Sequence, residues 1–375
     1  LTLPALRRFV ADPARIGEAF ADTFVVWESS GSSGEPGLFV QDPQAMAVYD
    51  ALEALRRPLV RSWRRLVDPL YLGERIAFVG AIDGHFATTV SLQRLRRLNP
   101  AFGAALRFVS FLQSTTTLVA ELNAFRPTIV ATYPSAAVML AEERQAGRLR
   151  HAPTEVWTGG ETLSDSMRRF VAETFGCTVV NSYGASEFLA IASECRCGSL
   201  HLNSDWAILE SVDSAGRPVP PGETGATALL TNLANHVQPI IRYDLGDRIA
   251  LRTQRCACGS ALPALDVQGR CDDTLHVASS RGEQISILPL ALSTVLEEEA
   301  GLFDFQLVQD HPDHLMLSTM QPGRAGDEAL QRACASLTAY LAKQGAEHVH
   351  IACRHAAPDV RGRSGKVQRV VSLLA

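Results

Sequence analysis

Two short cysteine knuckles, Cys195-Arg196-Cys197-Gly198 and Cys256-Ala257-Cys258-Gly259, constrain the fold of this chain more than any other feature. Each is a Cys-x-Cys-Gly turn followed by Ser. A duplicated pair of such turns can aim four thiols at one tetrahedral ion. Cys195, Cys197, Cys256 and Cys258 are therefore candidate zinc ligands, with His201 just past the first knuckle as a fifth. The competing reading is four unrelated buried cysteines. A site closed by protein ligands leaves no open position for a substrate, so the ion would be structural. It would clamp together the two ends of the segment between the knuckles.

Length and composition frame the rest. A chain of 375 residues exceeds one ordinary core, so two domains are expected. With 46% hydrophobic and 20% charged residues it is globular, neither disordered nor membrane-like. No apolar run approaches the roughly 18 residues that span a bilayer. The net charge of −5 supplies no basic field for nucleic acid. Eight cysteines in a chain this long suggest a reduced, cytoplasmic protein with a metal site rather than a disulfide scaffold. No signal peptide is visible, although the chain opens on Leu1 rather than Met.

Hydrophobic patterning predicts helical material from Leu3 to Phe20, a short strand Phe24 to Trp27, and a helix from Pro43 to Asp68. Strands follow at Arg75–Gly80, Thr128–Thr132, Glu155–Trp157 and Thr178–Asn181. Helices are expected at Thr88–Leu98, from Pro134, and at Ser164–Thr174. This alternation predicts a parallel α/β architecture with functional loops at the strand carboxyl ends. From His201 to Leu265 short segments alternate with turns, as in an antiparallel β subdomain. The remainder reads as a small α+β unit with helices at Ala291–Glu299 and Glu328–Gln344. The expected domains are 1–271 and 272–375, with a hinge at Asp272. No internal repeat or low-complexity segment stands out.

Several loops could carry chemistry. Ser29-Ser30-Gly31-Ser32-Ser33-Gly34 follows a strand, and its hydroxyls and backbone N–H groups could wrap a polyphosphate. It is not a Walker A loop, and a flexible linker is the alternative. Asn181-Ser182-Tyr183-Gly184-Ala185-Ser186-Glu187 ends another strand; a serine beside a carboxylate could touch a phosphate and hold Mg²⁺, or Ser186 could simply cap a helix. Asp247 could pair with ribose hydroxyls or be a turn aspartate. Lys366 lies in a basic loop that could deliver a cation onto an anion or could be merely solvated. His85 follows a strand and could line a pocket or be an ordinary loop histidine.

The order of these segments is more specific than any one of them. Ser-Ser-Gly-Ser-Ser-Gly-x-Pro, Gly-Gly-Glu, Tyr-Gly-x-Ser-Glu, Tyr-x-x-Gly-Asp, Gly-Arg-x-Asp-Asp and a terminal Gly-Lys-x-x-Arg follow in one succession. This succession resembles the adenylate-forming superfamily of acyl-CoA synthetases, peptide-synthetase adenylation domains and luciferases. The segment from Glu194-Cys195 to His201, the Arg-Tyr-Asp-Leu-Gly-Asp run and the second knuckle look most like its phenylacetate–CoA ligase branch.

The resemblance implies a large N-terminal domain and a small mobile C-terminal one. It also implies roles. Ser29 to Gly34 would cover the β- and γ-phosphates of ATP. Gly159, Gly160 and Glu161 would border the adenine, and Tyr183 would stack on it. Ser186 would touch the α-phosphate, Glu187 would hold Mg²⁺, and Asp247 with Arg270 would grip the ribose. Asp272 would be the hinge, and Lys366 would lie between the attacking carboxylate and the α-phosphate. His85, Tyr133 and Ser135 would line the acyl pocket. The implied activity is conversion of an aromatic or other hydrophobic carboxylic acid to acyl-AMP, then transfer to a thiol of coenzyme A or of a carrier protein's phosphopantetheine. Alternatives are hand-over of the adenylate to a partner enzyme, and a non-catalytic zinc-stabilised binding relative. A homodimer is compatible with either. Two departures stand out: Glu35 replaces a lysine usual in relatives, and a stretch that commonly precedes the phosphate loop is missing, which would remove part of the acyl or thiol wall.

Overall fold

The computed structural model describes residues 1–29, 36–56, 73–161, 163, 165–267, 275–278, 284–287, 291–292, 295–302, 305–319, 323–356 and 370–374. Two compact units emerge. One comprises the described residues within Leu1–Ser29, Leu38–Val109 and Glu121–Arg270; the other comprises those within Ser30–Gly37, Ser110–Ala120 and Cys271–Ala375.

The first unit is organised by a nine-stranded sheet. Its strand order is Ile249–Leu251, Ala264–Val267, Leu200–Leu202, Phe188–Glu194, Thr178–Ala185, Glu155–Thr158, Ile129–Thr132, Ile76–Gly80 and Leu106–Ser110. Ile76–Gly80, Ile129–Thr132, Glu155–Thr158 and Thr178–Ala185 pair in parallel. Ala77, Val79, Ile129, Val130 and Val156 in them are buried, the apolar run expected of strands covered on both faces. Beyond Thr178–Ala185 the pairing turns antiparallel through Phe188–Glu194, Leu200–Leu202, Ala264–Val267 and Ile249–Leu251. Half of the expected separate β subdomain thus extends the main sheet. The rest forms a three-stranded sheet of Ala207–Val212, Thr227–Asn232 and Tyr243–Asp244. One apolar core, including Trp27, Tyr49, Phe188, Ile191, Leu230 and Ile249, packs against both.

Several boundaries differ from expectation for identifiable reasons. The first helix spans Leu3–Val10 rather than reaching Phe20, because Pro13 cannot continue it; a single 3₁₀ turn, Pro13–Arg15, follows with Asp12 accepting from the Ala14 N–H at 3.0 Å. The helix begun at Pro43 is described to Arg56. Pro100–Ala105, capped by Asn99, the edge strand Leu106–Ser110 and the helix Thr115–Phe125 were not anticipated. Ser186 caps no helix; it lies in the tight turn between Thr178–Ala185 and Phe188–Glu194.

The second unit holds the hairpin of Leu275–Ala278 and Gln284–Ile287, a π-helical turn at Val295–Glu299, the helix Gly323–Lys343 and a four-stranded sheet. That sheet runs His350–His355, His314–Thr319, Gln306–His311, Val370–Ser372. Cys334 on the helix and Cys353 on the edge strand form a disulfide, which corrects the expectation of uniformly reduced cysteines. Among the described residues no helix is long and apolar enough to cross a membrane.

Gly184 marks a register shift between Tyr183 and Ala185, and a Cβ at this position would overlap the carbonyl oxygen of Leu189. Because the obstacle is backbone, Gly184→Ala is expected to cost about 1–3 kcal/mol or more, as overpacking does. Denaturant unfolding checks this; unchanged stability would contradict it.

Candidate functional site

Strand register gathers much of the site. Thr132 pairs with Thr158 and Thr158 with Asn181, so three parallel strands end level with one another. The residues that follow, Tyr133, Gly159-Gly160 and Ser182, therefore share one edge, at the carboxyl ends where open α/β sheets bind ligands. Side chains lock this row. Thr132 Oγ1 donates to Val79 O (2.8 Å), Ser182 Oγ donates to Thr158 O (3.1 Å), and Thr158 Oγ1 reaches Asn181 Oδ1 (3.2 Å). Gly160 has φ +80°, beside the Tyr133 ring, where an L side chain would be strained. Burial first, then the charge of Glu161, pushes the Tyr133 phenol above its ordinary range. Tyr133 and Glu161 are thus neighbours in the fold. Of Ser135 the structure describes the backbone only, at the start of the helix Pro134–Gln145.

The next strand supplies the turn. Ser186 and Glu187 join Ala185 to its hairpin partner Phe188. Ser186 O accepts the Trp27 Nε1–H (2.8 Å), and Glu187 O accepts from Asn232 Nδ2 (2.9 Å). Tyr183, buried, donates its hydroxyl to Asp247 Oδ2 at 2.8 Å. The residue expected to stack on adenine and the one expected to grip ribose are therefore in direct contact. On the far side of this strand, Glu194 is 4% exposed and takes Arg168 Nη2 and the Asn181 N–H at 2.5 Å each. Sequence reading missed Trp27, Asn232 and Arg168 as site-forming residues; each acts on a group distant along the chain.

Nine expected residues (Ser30, Gly31, Ser32, Ser33, Gly34, Glu35, Arg270, Asp272 and Lys366) lie outside the described residues. Ser29 is described, directly after the strand Val25–Glu28. His85 has a core position rather than a pocket wall: it is 0% exposed, its Nε2 is 3.0 Å from Asp12 O, and its ring meets Phe9 edge-on at 5.4 Å.

Cysteines of both knuckles come together with His201. One ligand atom each from Cys195, His201, Cys256 and Cys258 lies within 4.8 Å of all the others, so this group could hold a metal ion. Cys195 Sγ is 3.6 Å from Cys256 Sγ, and Cys258 Sγ is 3.3 Å from His201 Nε2. His201 Nδ1 lies 2.9 Å from Leu262 O; donating there would leave Nε2 as the ligand atom, as second-shell bonds do for metal-bound imidazoles. The N–H groups of Cys197 and Ser260 point at Cys195 Sγ and Cys258 Sγ, both at 3.4 Å. The backbone N–H of Cys258, then the Ser199 hydroxyl and His201, hold the Cys256 thiol down to about 5. Cys197 is exposed and falls outside the group.

Glu28, at the end of its strand, is pushed up from 4.5 to about 7 by burial. The folded chain then holds the extra proton between these two values. Stability from this carboxyl is present below pH 4.5 and is lost as pH rises toward 7. Glu28→Gln should flatten the pH profile of stability across that window and stabilise the protein at pH 8. Denaturant midpoints from pH 4 to 8 check it; parallel profiles for variant and wild type would contradict the buried carboxyl.

The AMP-binding enzyme family matches residues 100–228. No curated protein matches the chain. Among solved structures, a 2-hydroxyisobutyryl-CoA ligase is similar in several states. In complex with 2-HIB-AMP and CoA in the thioesterification state it is 21% identical with a TM-score of 0.55, the match covering 94% of this chain and 74% of that one. The postadenylation state with 2-HIB-AMP gives 21% identity and a TM-score of 0.51 over the same shares of the two chains. The open conformation with both ligands gives 21% and 0.50, over 93% of this chain and 75% of that one. Such identities carry the fold alone. The chain thus matches the AMP-binding enzyme model over residues 100–228 and shares the fold of the similar CoA ligase.

Proposed function

We propose that this chain is an ATP-dependent acid–thiol ligase that activates a carboxylic acid as acyl-AMP, releases pyrophosphate and passes the acyl group to a thiol. The observation that carries the reading is the shared carboxyl edge of the sheet. It brings together Tyr133, Gly159-Gly160 and Ser182, with Tyr183 bonded to Asp247 on the strand that also ends in Ser186-Glu187. The similar ligase in its solved complexes holds an acyl-AMP and CoA, which favours coenzyme A as acceptor. An aromatic or hydrophobic acid rests on the resemblance to the phenylacetate–CoA ligase branch. A carrier-protein phosphopantetheine, or hand-over of the adenylate to a partner enzyme, are the competing acceptors.

The chemistry sets what the residues have to do. A carboxylate attacking an α-phosphate brings two anions together, so the barrier is largely electrostatic. Ser186 and Glu187 contact the α-phosphate and Mg²⁺ in this reading, while Tyr183, Asp247 and Arg270 hold the nucleoside. Ser29 to Gly34 cover the outer phosphates. Lys366, on a small domain of residues 272–375 turning at Asp272, supplies the cation that neutralises the transition state. Withdrawal of that domain opens the route for the thiol. Glu35, which puts negative charge beside the polyphosphate, favours the second reading: a binding relative without turnover. The group of Cys195, His201, Cys256 and Cys258 suits a structural zinc ion, with two knuckle turns and three thiols.

Pyrophosphate release from ATP and Mg²⁺ with a panel of aryl and alkyl carboxylates, with and without coenzyme A, tests the activity. Acid-dependent release accelerated by coenzyme A is expected. Acid-independent behaviour together with no ATP binding would leave the binding relative standing. Lys366→Ala should lower release by roughly 100- to 1000-fold, the usual cost of removing such a group, with ATP affinity kept. Equal rates would remove Lys366 from its role. For the metal, freshly purified protein should contain about one zinc per chain, and chelation should lower the melting temperature without changing the rate per folded molecule. Cys256→Ser should lose the metal while Cys197→Ser retains it. Zinc-free wild-type protein would refute the site.

A further inference from the structure

The turn Ser186-Glu187 carries two carbonyls, and both are bonded to buried donors that no motif of the site contains. Trp27, 0% exposed, donates its indole N–H to Ser186 O at 2.8 Å. Asn232, 5% exposed, donates Nδ2 to Glu187 O at 2.9 Å. Tethering two consecutive carbonyls fixes the peptide planes on either side of Glu187, and with them the direction of its side chain.

The orientation of the Asn232 amide is determined by its own surroundings. Its Oδ1 accepts the backbone N–H groups of Ala234 (2.9 Å) and Asn235 (3.2 Å), so the nitrogen has to face the turn. The same Nδ2 donates to Tyr49 Oη at 2.9 Å, and the Tyr49 hydroxyl donates onward to Gln41 Oε1 at 3.2 Å. Gln41 Oε1 also accepts Asn235 Nδ2 at 2.9 Å. Burial pushes the Tyr49 phenol up, so it stays a neutral donor. Its ring stands edge-on to Phe188, the first residue after the turn, at 5.0 Å. The helix Pro43–Arg56, the strand Leu38–Gln41 and the end of Thr227–Asn232 thus converge on the two carbonyls.

We propose that Asn232, oriented by Tyr49, and Trp27 are positioning residues that aim Ser186 and Glu187 at the phosphate and its Mg²⁺. The proposal rests on the functional reading above. Neither residue touches substrate; each acts through a backbone oxygen of the turn, as outer-shell partners act on metal-binding side chains.

The test is calorimetric binding of ATP to the full chain across a Mg²⁺ series, with melting temperature measured alongside. Asn232→Asp keeps the acceptor that closes the following turn and removes only the donor. Its added negative charge by itself would favour the cation, so weaker Mg²⁺-dependent binding would report the lost hydrogen bond. Trp27→Phe removes the indole N–H while keeping an aromatic ring, and decides the matter if Asn232→Asp does not fold. Each is expected to weaken Mg²⁺-dependent ATP binding by about 10- to 100-fold, the usual cost of an outer-shell partner, with Mg²⁺-free binding little changed. Gln238→Ala is the control: Gln238 bonds Leu38 O and the Val40 N–H but not the turn, so it should lower only the melting temperature. Wild-type Mg²⁺ dependence in both Asn232→Asp and Trp27→Phe overturns the proposal alone. Absence of ATP binding by the wild-type protein overturns the functional reading and the proposal with it.

Discussion

Close backbone approach at Gly184 governs how the first unit is built. Thr178–Ala185 is the last parallel strand of the sheet and the first of its antiparallel extension, and its antiparallel register with Phe188–Glu194 shifts at this glycine. Any side chain there would collide with Leu189 O. Beyond the shift Ala185 pairs with Phe188, and Ser186-Glu187 form the two-residue turn between the strands. The chain reaches the turn that carries Ser186 and Glu187 through a position that leaves no room for a Cβ.

Several carboxylates belong to the candidate site. The site residues that the structure describes include Glu161, Glu187 and Asp247, with Glu28 close by on the chain before Ser29. Burial pushes the Glu28 carboxyl up to about 7, so it is only partly ionised near neutral pH. A polyphosphate beside carboxylates is stabilised by cations. In the proposed reading Mg²⁺, Arg270 and Lys366 would supply those cations.

Much of the architecture was legible because its cause is local. Ile76–Gly80, Ile129–Thr132 and Glu155–Thr158 are short apolar runs bounded by polar or turn residues, as buried parallel strands are. The knuckles were legible for the same reason, since each is a four-residue turn. What escaped was long-range or locally ambiguous. Thr115–Phe125 opens with three threonines, poor helix formers, and Leu106–Ser110 carries Arg107 within a short edge strand. Trp27 reads as a strand residue and Asn232 as the polar end of another; their partners lie 159 and 45 positions away. No spacing rule reveals such pairs. His85 failed differently: its place after a strand suggested a pocket, and the neighbouring Phe9 and Asp12 from the first segment covered it.

The cysteine–histidine group has a topological consequence. Cys195 and Cys256 are separated by 61 positions, and a metal bound between them would close that stretch into a ring. Both Asn232 and Asp247 travel inside this ring, leaving the sheet after Leu202 and rejoining it at Ile249. Closing a loop of such length restricts the unfolded chain far more than it alters any native contact. At the entrance of the ring, Glu194 adjoins Cys195 and accepts the N–H of Asn181. Metal occupancy would thus limit how far this excursion can wander before it folds, an ordering exerted on the ensemble of unfolded chains.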